Sequence, residues 1–257
     1  MHLDVEDGIA RVTLDRPDAA NAIDRELAQA LADVVATLGR DRSLRAVLLC
    51  GRGERFCGGG DVKSLADAGP DLADRLDEIV TPFHAAVEGL AALDAPVVAA
   101  VQGSAAGAGL ALALGADLVV AAASARFVVA YSGIGLTPDG GTTWYLERSV
   151  GRQRALDLLL TNRVLDASEA LGWGIVSRVV ADDDLTEAAE SLVTQLACGP
   201  TRAFGGAKRL VDAARRTDLV EHLADEAETL VQAGRSADGQ AGVLAFTEKR
   251  RATFGGE

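Results

Sequence analysis

Basic residues are in short supply: 25 Lys and Arg stand against 38 Asp and Glu in 257 residues, a formal net charge of −13. Such a field repels nucleic acid and anionic membrane surfaces, and no Lys-rich helix offsets it. No nucleic-acid or membrane partner is expected. Any phosphate-bearing ligand has to be gripped locally, by single Arg or Lys side chains or by backbone N–H groups.

Cysteine is scarce too. Cys50, Cys57 and Cys198 lack the paired spacing of a metal site, and their odd number suits free thiols in a reducing compartment. The opening MHLDVEDG is acidic and has no apolar signal core, so a cytoplasmic location and no metal are expected. Internal repeats and low-complexity linkers are missing. Apolar residues at 49% and charged residues at 25% describe a globular chain, long enough for one core with a helical appendage.

One stretch lacks charge altogether. Between Asp94 and Asp117 lie 22 uncharged residues, enough to pass the length test for a membrane span. Nine are Ala and four are Gly, Gln102 and Ser104 interrupt them, and no aromatic belt or basic flank is present, which argues against a span. What remains is a strand, Pro96–Val101, delivered to a turn at Gly103, Gly107 and Gly109, then a small-residue helix from about Ala108. Glycines there let bare N–H groups approach a ligand, and a helix start adds unpaired amides and the positive end of its dipole. The turn is suited to a negative oxygen. It matches the dinucleotide-binding fingerprint only in part, because the third glycine position falls on Leu112 and no acidic residue follows at the required distance.

The rest of the chain falls into short elements. Leu3–Val5 and Ile9–Leu14 flank Glu6-Asp7-Gly8 as a hairpin, and Asp24 stands where an N-cap would, ahead of Leu27, Leu31, Val34 or Val35, and Leu38 at helical spacing. The strand Arg45–Cys50 feeds a second glycine loop, Gly51 to Gly60, after which Asp61 caps a short helix to Ala66. Asp71–Leu93 is a long helix that Pro82 either kinks or divides, with His84 inside it as a structural or pocket-lining residue. Strands are expected at Leu118–Ala121, Arg126–Val129 and Ile175–Val180. Helices are expected at Thr143–Val150, Arg152–Leu160, Ala167–Leu171 and Leu185–Ala197, with two or three more between Thr201 and Lys249. The loop Ala130–Thr142 lies between the two halves.

The two glycine loops resemble the signatures of the crotonase family, the enoyl-CoA hydratase and isomerase superfamily: Arg55-Phe56-Cys57-Gly58-Gly59-Gly60-Asp61-Val62-Lys63 and Val101-Gln102-Gly103-Ser104-Ala105-Ala106-Gly107-Ala108-Gly109. Asp15-Arg16-Pro17 through Asn21-Ala22, Ile134 to Gly141, and Phe246-Thr247-Glu248-Lys249-Arg250 extend the resemblance over nearly the whole chain. It implies an α/β fold, a spiral core of repeated ββα turns (1–184) followed by a helical region (185–257) that builds trimers or hexamers. It also implies an acyl-CoA thioester as substrate, with coenzyme A as part of that substrate and no separate cofactor.

By position, the resemblance assigns the amides of Gly58 and Ala108 to an oxyanion hole, whose donors are each worth about 10² to 10³ in rate. The two glutamates of family hydratases are replaced by Ala111 and Tyr131. A carboxylate stands instead at Asp139, where isomerase members of the family carry an acidic catalytic residue; Pro138-Asp139-Gly140 is also an ordinary turn sequence. One base can take a proton and return it, so a single carboxylate suits an isomerase better than a hydratase. The leading expectation is a 3-enoyl-CoA to 2-enoyl-CoA isomerase. Its alternatives are a ring-epoxide acyl-CoA isomerase, a weak hydratase, or an impaired acyl-CoA-binding member.

Tyr131 is expected to line the acyl pocket, and Ala111 to leave room for a bulkier acyl group. The resemblance places adenine on the backbone of Gly59, Gly60 and Asp61, with Arg16, Lys63 and Lys249 as candidates for the phosphates. The stretch from Ser64 to His84 supplies the pocket wall, without individual positions.

Overall fold

The structure is a computed structural model that describes residues 1–257. A hairpin opens the chain, β1 (His2–Glu6) and β2 (Ile9–Leu14), turned by Asp7 and Gly8 at φ 51° and 75°. Two successive left-handed residues give the turn a twist that matches its strands. Helix α1 (Arg25–Leu38) starts at Asp24, whose carboxylate accepts the Leu27 N–H at 2.8 Å, and buries Leu27, Leu31, Val35 and Leu38.

β3 (Ala46–Gly51) then feeds the first glycine loop, and Asp61 caps α2 (Val62–Ala66). Helix α3 (Leu72–Ala92) runs unbroken through Pro82. β4 (Val97–Val101) feeds the second glycine loop, which carries β5 (Ser104–Ala106) and leads to α4 (Ala108–Gly115). After β6 (Leu118–Ala122) and β7 (Arg126–Val128) come α5 (Thr142–Val150) and α6 (Arg152–Thr161). β8 (Leu165–Asp166), α7 (Ala167–Gly172) and β9 (Arg178–Val180) complete the strands, and α8 (Leu185–Ala197), α9 (Thr201–Ala213), α10 (Leu219–Arg235) and α11 (Ala237–Thr247) end the fold.

Six strands make one sheet in the order β1-β2-β3-β4-β6-β9, parallel except for the opening hairpin; β5, β7 and β8 make a second. Both faces of the central strands are covered, which is why β4 is buried at every residue and reads as a continuous apolar run. In α4, Ala108 through Leu114 are all buried. Its alanines and glycine let backbone approach backbone where larger side chains would hold the layers apart.

Three expectations change. Only Arg178–Val180 of the expected strand 175–180 pairs, because Ile175 is tied back to α7 through its N–H and the Ala170 carbonyl at 2.9 Å. β5 and β8, of three and two residues, had no signal in the sequence. Helix α8 does not belong with the terminal helices by packing: Leu185, Ala189, Leu192 and Val193 are buried against β3, β4 and β6, so the layered core runs past the expected boundary at 184. Beyond it, α10 buries none of its residues, and Val211, Leu219, Val220, Leu230 and Phe246 are exposed within the single chain. No helix is long and apolar enough to cross a membrane.

Candidate active site

The two glycine loops are joined directly. The Phe56 N–H donates to the Gln102 carbonyl at 2.9 Å, the Cys57 N–H to Ser104 at 3.0 Å, and the Ala106 N–H returns to Cys57 at 3.0 Å, a parallel bridge between Cys57 and Ala105. Only glycine fits at 109, where a Cβ would lie 2.4 Å from the Cys57 carbonyl oxygen. Asn21 braces the first loop from below. It is fully buried and left-handed (φ 53°); its Nδ2 donates to the carbonyls of Arg52 and Arg55 at 2.9 and 2.7 Å, while its Oδ1 accepts the Arg16 N–H at 2.8 Å.

This geometry corrects one expected donor. The Gly58 N–H is engaged by the Ala20 carbonyl at 2.8 Å and has no capacity left for a ligand. Gly59 and Gly60 keep free N–H groups, but Gly59 is buried against Ala106, whereas Gly60 is exposed and would meet nothing within 4 Å at its Cβ. Gly60 is therefore the amide of this loop that a ligand oxygen can reach. Across from it, the Ala108 N–H begins α4 with no backbone partner, as the first amides of a helix must. Both residues line one apolar cavity of about 190 Å³.

Leu76, Ile79, Val80 and Phe83 of α3 form the apolar wall of that cavity, and Tyr131 and Asp139 close the opposite side. The Tyr131 hydroxyl donates to Oδ1 of Asp139. Burial, and then the charge of Asp139, push the Tyr131 phenol well above the ordinary tyrosine range, so it stays protonated and remains a donor. The turn that carries Asp139 is tightly held: the Asp139 carbonyl accepts from the Thr142 N–H at 3.0 Å and the Thr142 hydroxyl at 2.8 Å. Asp139 is thus a turn residue and a pocket residue at once. No group of three or more His, Cys, Asp or Glu comes together as a metal site would require.

Other expected site residues lie elsewhere. Ala111 is fully buried and does not line the cavity; a Cβ on Gly140 would sit 2.8 Å from its own Cβ, so its small size makes room for the 139–141 turn and not for an acyl group. Arg16 is not free for phosphate. Its Nη2 pairs with Asp24 at 2.9 Å and with Asp61 at 3.1 Å. Burial works against the charge on Asp61, but the Ser64 N–H and Arg16 outweigh it and hold that carboxyl below the usual range. Asp61 is therefore a helix cap and an ion-pair partner. Lys63 and Lys249 are exposed; Val62, beside Lys63, lines the cavity, and nothing near Lys249 does within the chain. His84, on α3, accepts the Gly140 N–H at Nε2, a contact its position in the sequence did not reveal.

The comparisons with known proteins agree with this architecture. The family model described as enoyl-CoA hydratase/isomerase matches residues 4–257. The 1,2-epoxyphenylacetyl-CoA isomerase of Escherichia coli (strain K12) is 41% identical over 98% of this chain and 97% of its own. A 4-chlorobenzoyl coenzyme A dehalogenase of an Arthrobacter species is 35% identical over 82% of this chain and 77% of its own. The crystal structure of an enoyl-CoA hydratase from Polaromonas sp. JS666 superposes with a TM-score of 0.93 at 31% identity, covering 98% of both chains. With two stitched glycine loops, unpaired amides facing an apolar cavity, and a match along its full length, the chain belongs to the enoyl-CoA hydratase/isomerase family, with a crotonase-like fold.

Proposed function

We propose that the protein is an acyl-CoA isomerase in which Asp139 moves a proton between two carbons of the acyl group, while the N–H groups of Gly60 and Ala108 hold the thioester oxygen. For a 3-enoyl thioester, Asp139 takes a proton from C2 and the electron pair moves into the thioester oxygen as a dienolate. The same carboxyl then returns the proton at C4. This chemistry calls for no separate cofactor, and coenzyme A enters only as part of the substrate.

One observation carries the reading: Asp139 is the single carboxylate lining the cavity. Hydration asks for one group to activate water and another to protonate carbon, whereas isomerisation asks for one group used twice. The cavity volume supports a compact acyl group. About 190 Å³ is of the order of the ~150 Å³ cavity that accommodates benzene in an engineered protein core. A single ring or a short chain fits that volume. The relative named for an epoxyphenylacetyl thioester favours a second reading of the same site, with a ring-epoxide thioester as substrate. We further propose that the exposed apolar faces of α9, α10 and α11 meet other copies of the chain, as a trimer or a hexamer.

The test is a panel of acyl-CoA thioesters followed by mass spectrometry, with parent protein and Asp139→Asn side by side. The parent is expected to convert a 3-enoyl or ring-epoxide thioester, and the variant to lose about 10² to 10⁴ of that turnover while still binding CoA esters. Hydration of crotonyl-CoA by the parent at about 10 per second or more, or a variant as fast as the parent, would overturn the assignment.

A further inference from the structure

Behind the turn that carries Asp139 lies a second cavity of about 610 Å³, and His84 lines this one and not the reaction pocket. The wall between them is thin. Gly140 and Gly141 form part of it, both left-handed at φ 58° and 78°, with no side chain to anchor them. A Cβ on Gly140 would lie 2.5 Å from Phe83 and 2.8 Å from Ala111, so the packing that admits the turn also forbids it an anchor of its own. Besides the Thr142 contacts to the Asp139 carbonyl, the turn is held by the Gly140 N–H, which donates to Nε2 of His84 at 3.0 Å. An N–H aimed at Nε2 means that this nitrogen carries no proton, and the hydrogen-bond pattern assigns the ring hydrogen to Nδ1.

We infer that His84 is the positioning residue for Asp139, acting as a neutral acceptor that fixes the peptide between Asp139 and Gly140 and with it the direction of the carboxylate. The inference rests on the reading of Asp139 as the base. Thr142 holds the carbonyl of the planar 139–140 peptide and His84 holds its N–H, while Tyr131 holds Oδ1, so His84 is the acceptor that fixes the second end of this peptide. Gly140 is buried, and without the imidazole its N–H loses the acceptor that holds it. Either the N–H stays unpaired or the peptide turns to find a partner, and the second outcome swings Asp139 out of line.

Glu88, one turn along α3, Tyr145 from α5, Asp212 from α9 and Arg216 beyond the end of α9 share the cavity with His84, and Asp139 lies across Gly140.

The experiment compares parent, His84→Leu, which removes the acceptor, and His84→Gln, which offers an oxygen at similar reach without titrating. On a thioester that the parent turns over, His84→Leu is expected to lose about 10²-fold in kcat, the scale of a 1 Å misplacement, with KM within about twofold. His84→Gln is expected to recover most of it. Amide hydrogen exchange at Gly140 provides a readout that needs no substrate: protection is expected in the parent and in His84→Gln, and is lost in His84→Leu. Full kcat or retained protection in His84→Leu, or failure of Gln to restore either, would overturn the inference. A parent that turns over nothing but keeps the exchange pattern would count against the proposed function and leave the anchoring of the turn by His84 standing.

Discussion

Tyr131 donates its hydroxyl to Oδ1 of Asp139, and this leaves Oδ2 as the carboxylate oxygen without a protein partner. The pair divides the labour within the pocket: the phenol keeps its proton, and the carboxylate keeps one oxygen for substrate. In the proposed reaction, a base oriented in this way needs little rearrangement when the reacting carbon arrives.

Both tyrosines of the chain are held protonated, Tyr131 by burial and the charge of Asp139, Tyr145 by burial and the charges of Asp212 and Asp117. Absorbance titration of the folded protein should show little tyrosinate near pH 10, about where unfolded tyrosine ionises. The sign for stability follows. The folded chain binds these protons more tightly than the unfolded one, so their contribution is complete below about pH 10 and declines as pH rises beyond it. Urea midpoints at pH 8 and pH 10.5 check this; ionisation of both tyrosines at pH 10 in folded protein would contradict it.

Gly60 and Gly109 should respond differently to one added methyl group. At Gly60 a Cβ meets nothing within 4 Å and the N–H is retained, so Gly60→Ala is expected to fold and turn over substrate much like the parent. At Gly109 the Cβ would collide with Cys57 backbone at 2.4 Å and push the two loops apart. Gly109→Ala should lose about 1–3 kcal/mol by overpacking and reduce kcat, both measurable by denaturant melts and turnover.

Placing a glutamate at 111 should not produce a hydratase. The Ala111 side chain is fully buried beside Gly140, away from the solvent that a carboxylate needs. Ala111→Glu is expected to destabilise by about 3 kcal/mol or more through overpacking and burial of a charge, with no gain in crotonyl-CoA hydration. A stable variant with new hydratase activity would show that the 139–141 turn yields more readily than its packing indicates.

Asn21 governs the first loop through its amide. Asn21→Ala strips the partners from the Arg52 and Arg55 carbonyls and from the Arg16 N–H, and it places alanine in a left-handed conformation. A loss of about 3 kcal/mol is expected, roughly a 10 °C fall in Tm for a chain of this length. Differential scanning calorimetry measures it, and a kcat that falls further than KM rises would tie the loss to the loop.

Residues that announce themselves locally were legible in the sequence. Asp24 and Asp61 as helix caps, Asp7-Gly8 as a hairpin turn, and the strands leading into the glycine loops follow from near-neighbour chemistry. The identity of the free amide was not. Gly58 and Gly60 differ only in that Ala20, far back in the chain, accepts from Gly58. Arg16 read as a free cation because Asp24 and Asp61 reach it only after folding, and Ala111 read as pocket space because its neighbour Gly140 is 29 residues away in sequence. β5 and β8 are too short to carry a period, and the pocket wall depended on which face of α3 turns inward.

The enclosure of α4 bears on how the protein responds to ionic strength. Its residues Ala108 through Leu114 are sheltered from solvent, so dissolved ions cannot gather along the helix or shield its amino-terminal dipole where that dipole meets the reaction pocket. Screening acts on exposed charges, across a Debye length of about 8 Å at physiological ionic strength. Under the proposed function, added salt is expected to act on the encounter between a polyanionic thioester and a chain of net charge −13, and to leave the field at the start of the helix almost untouched.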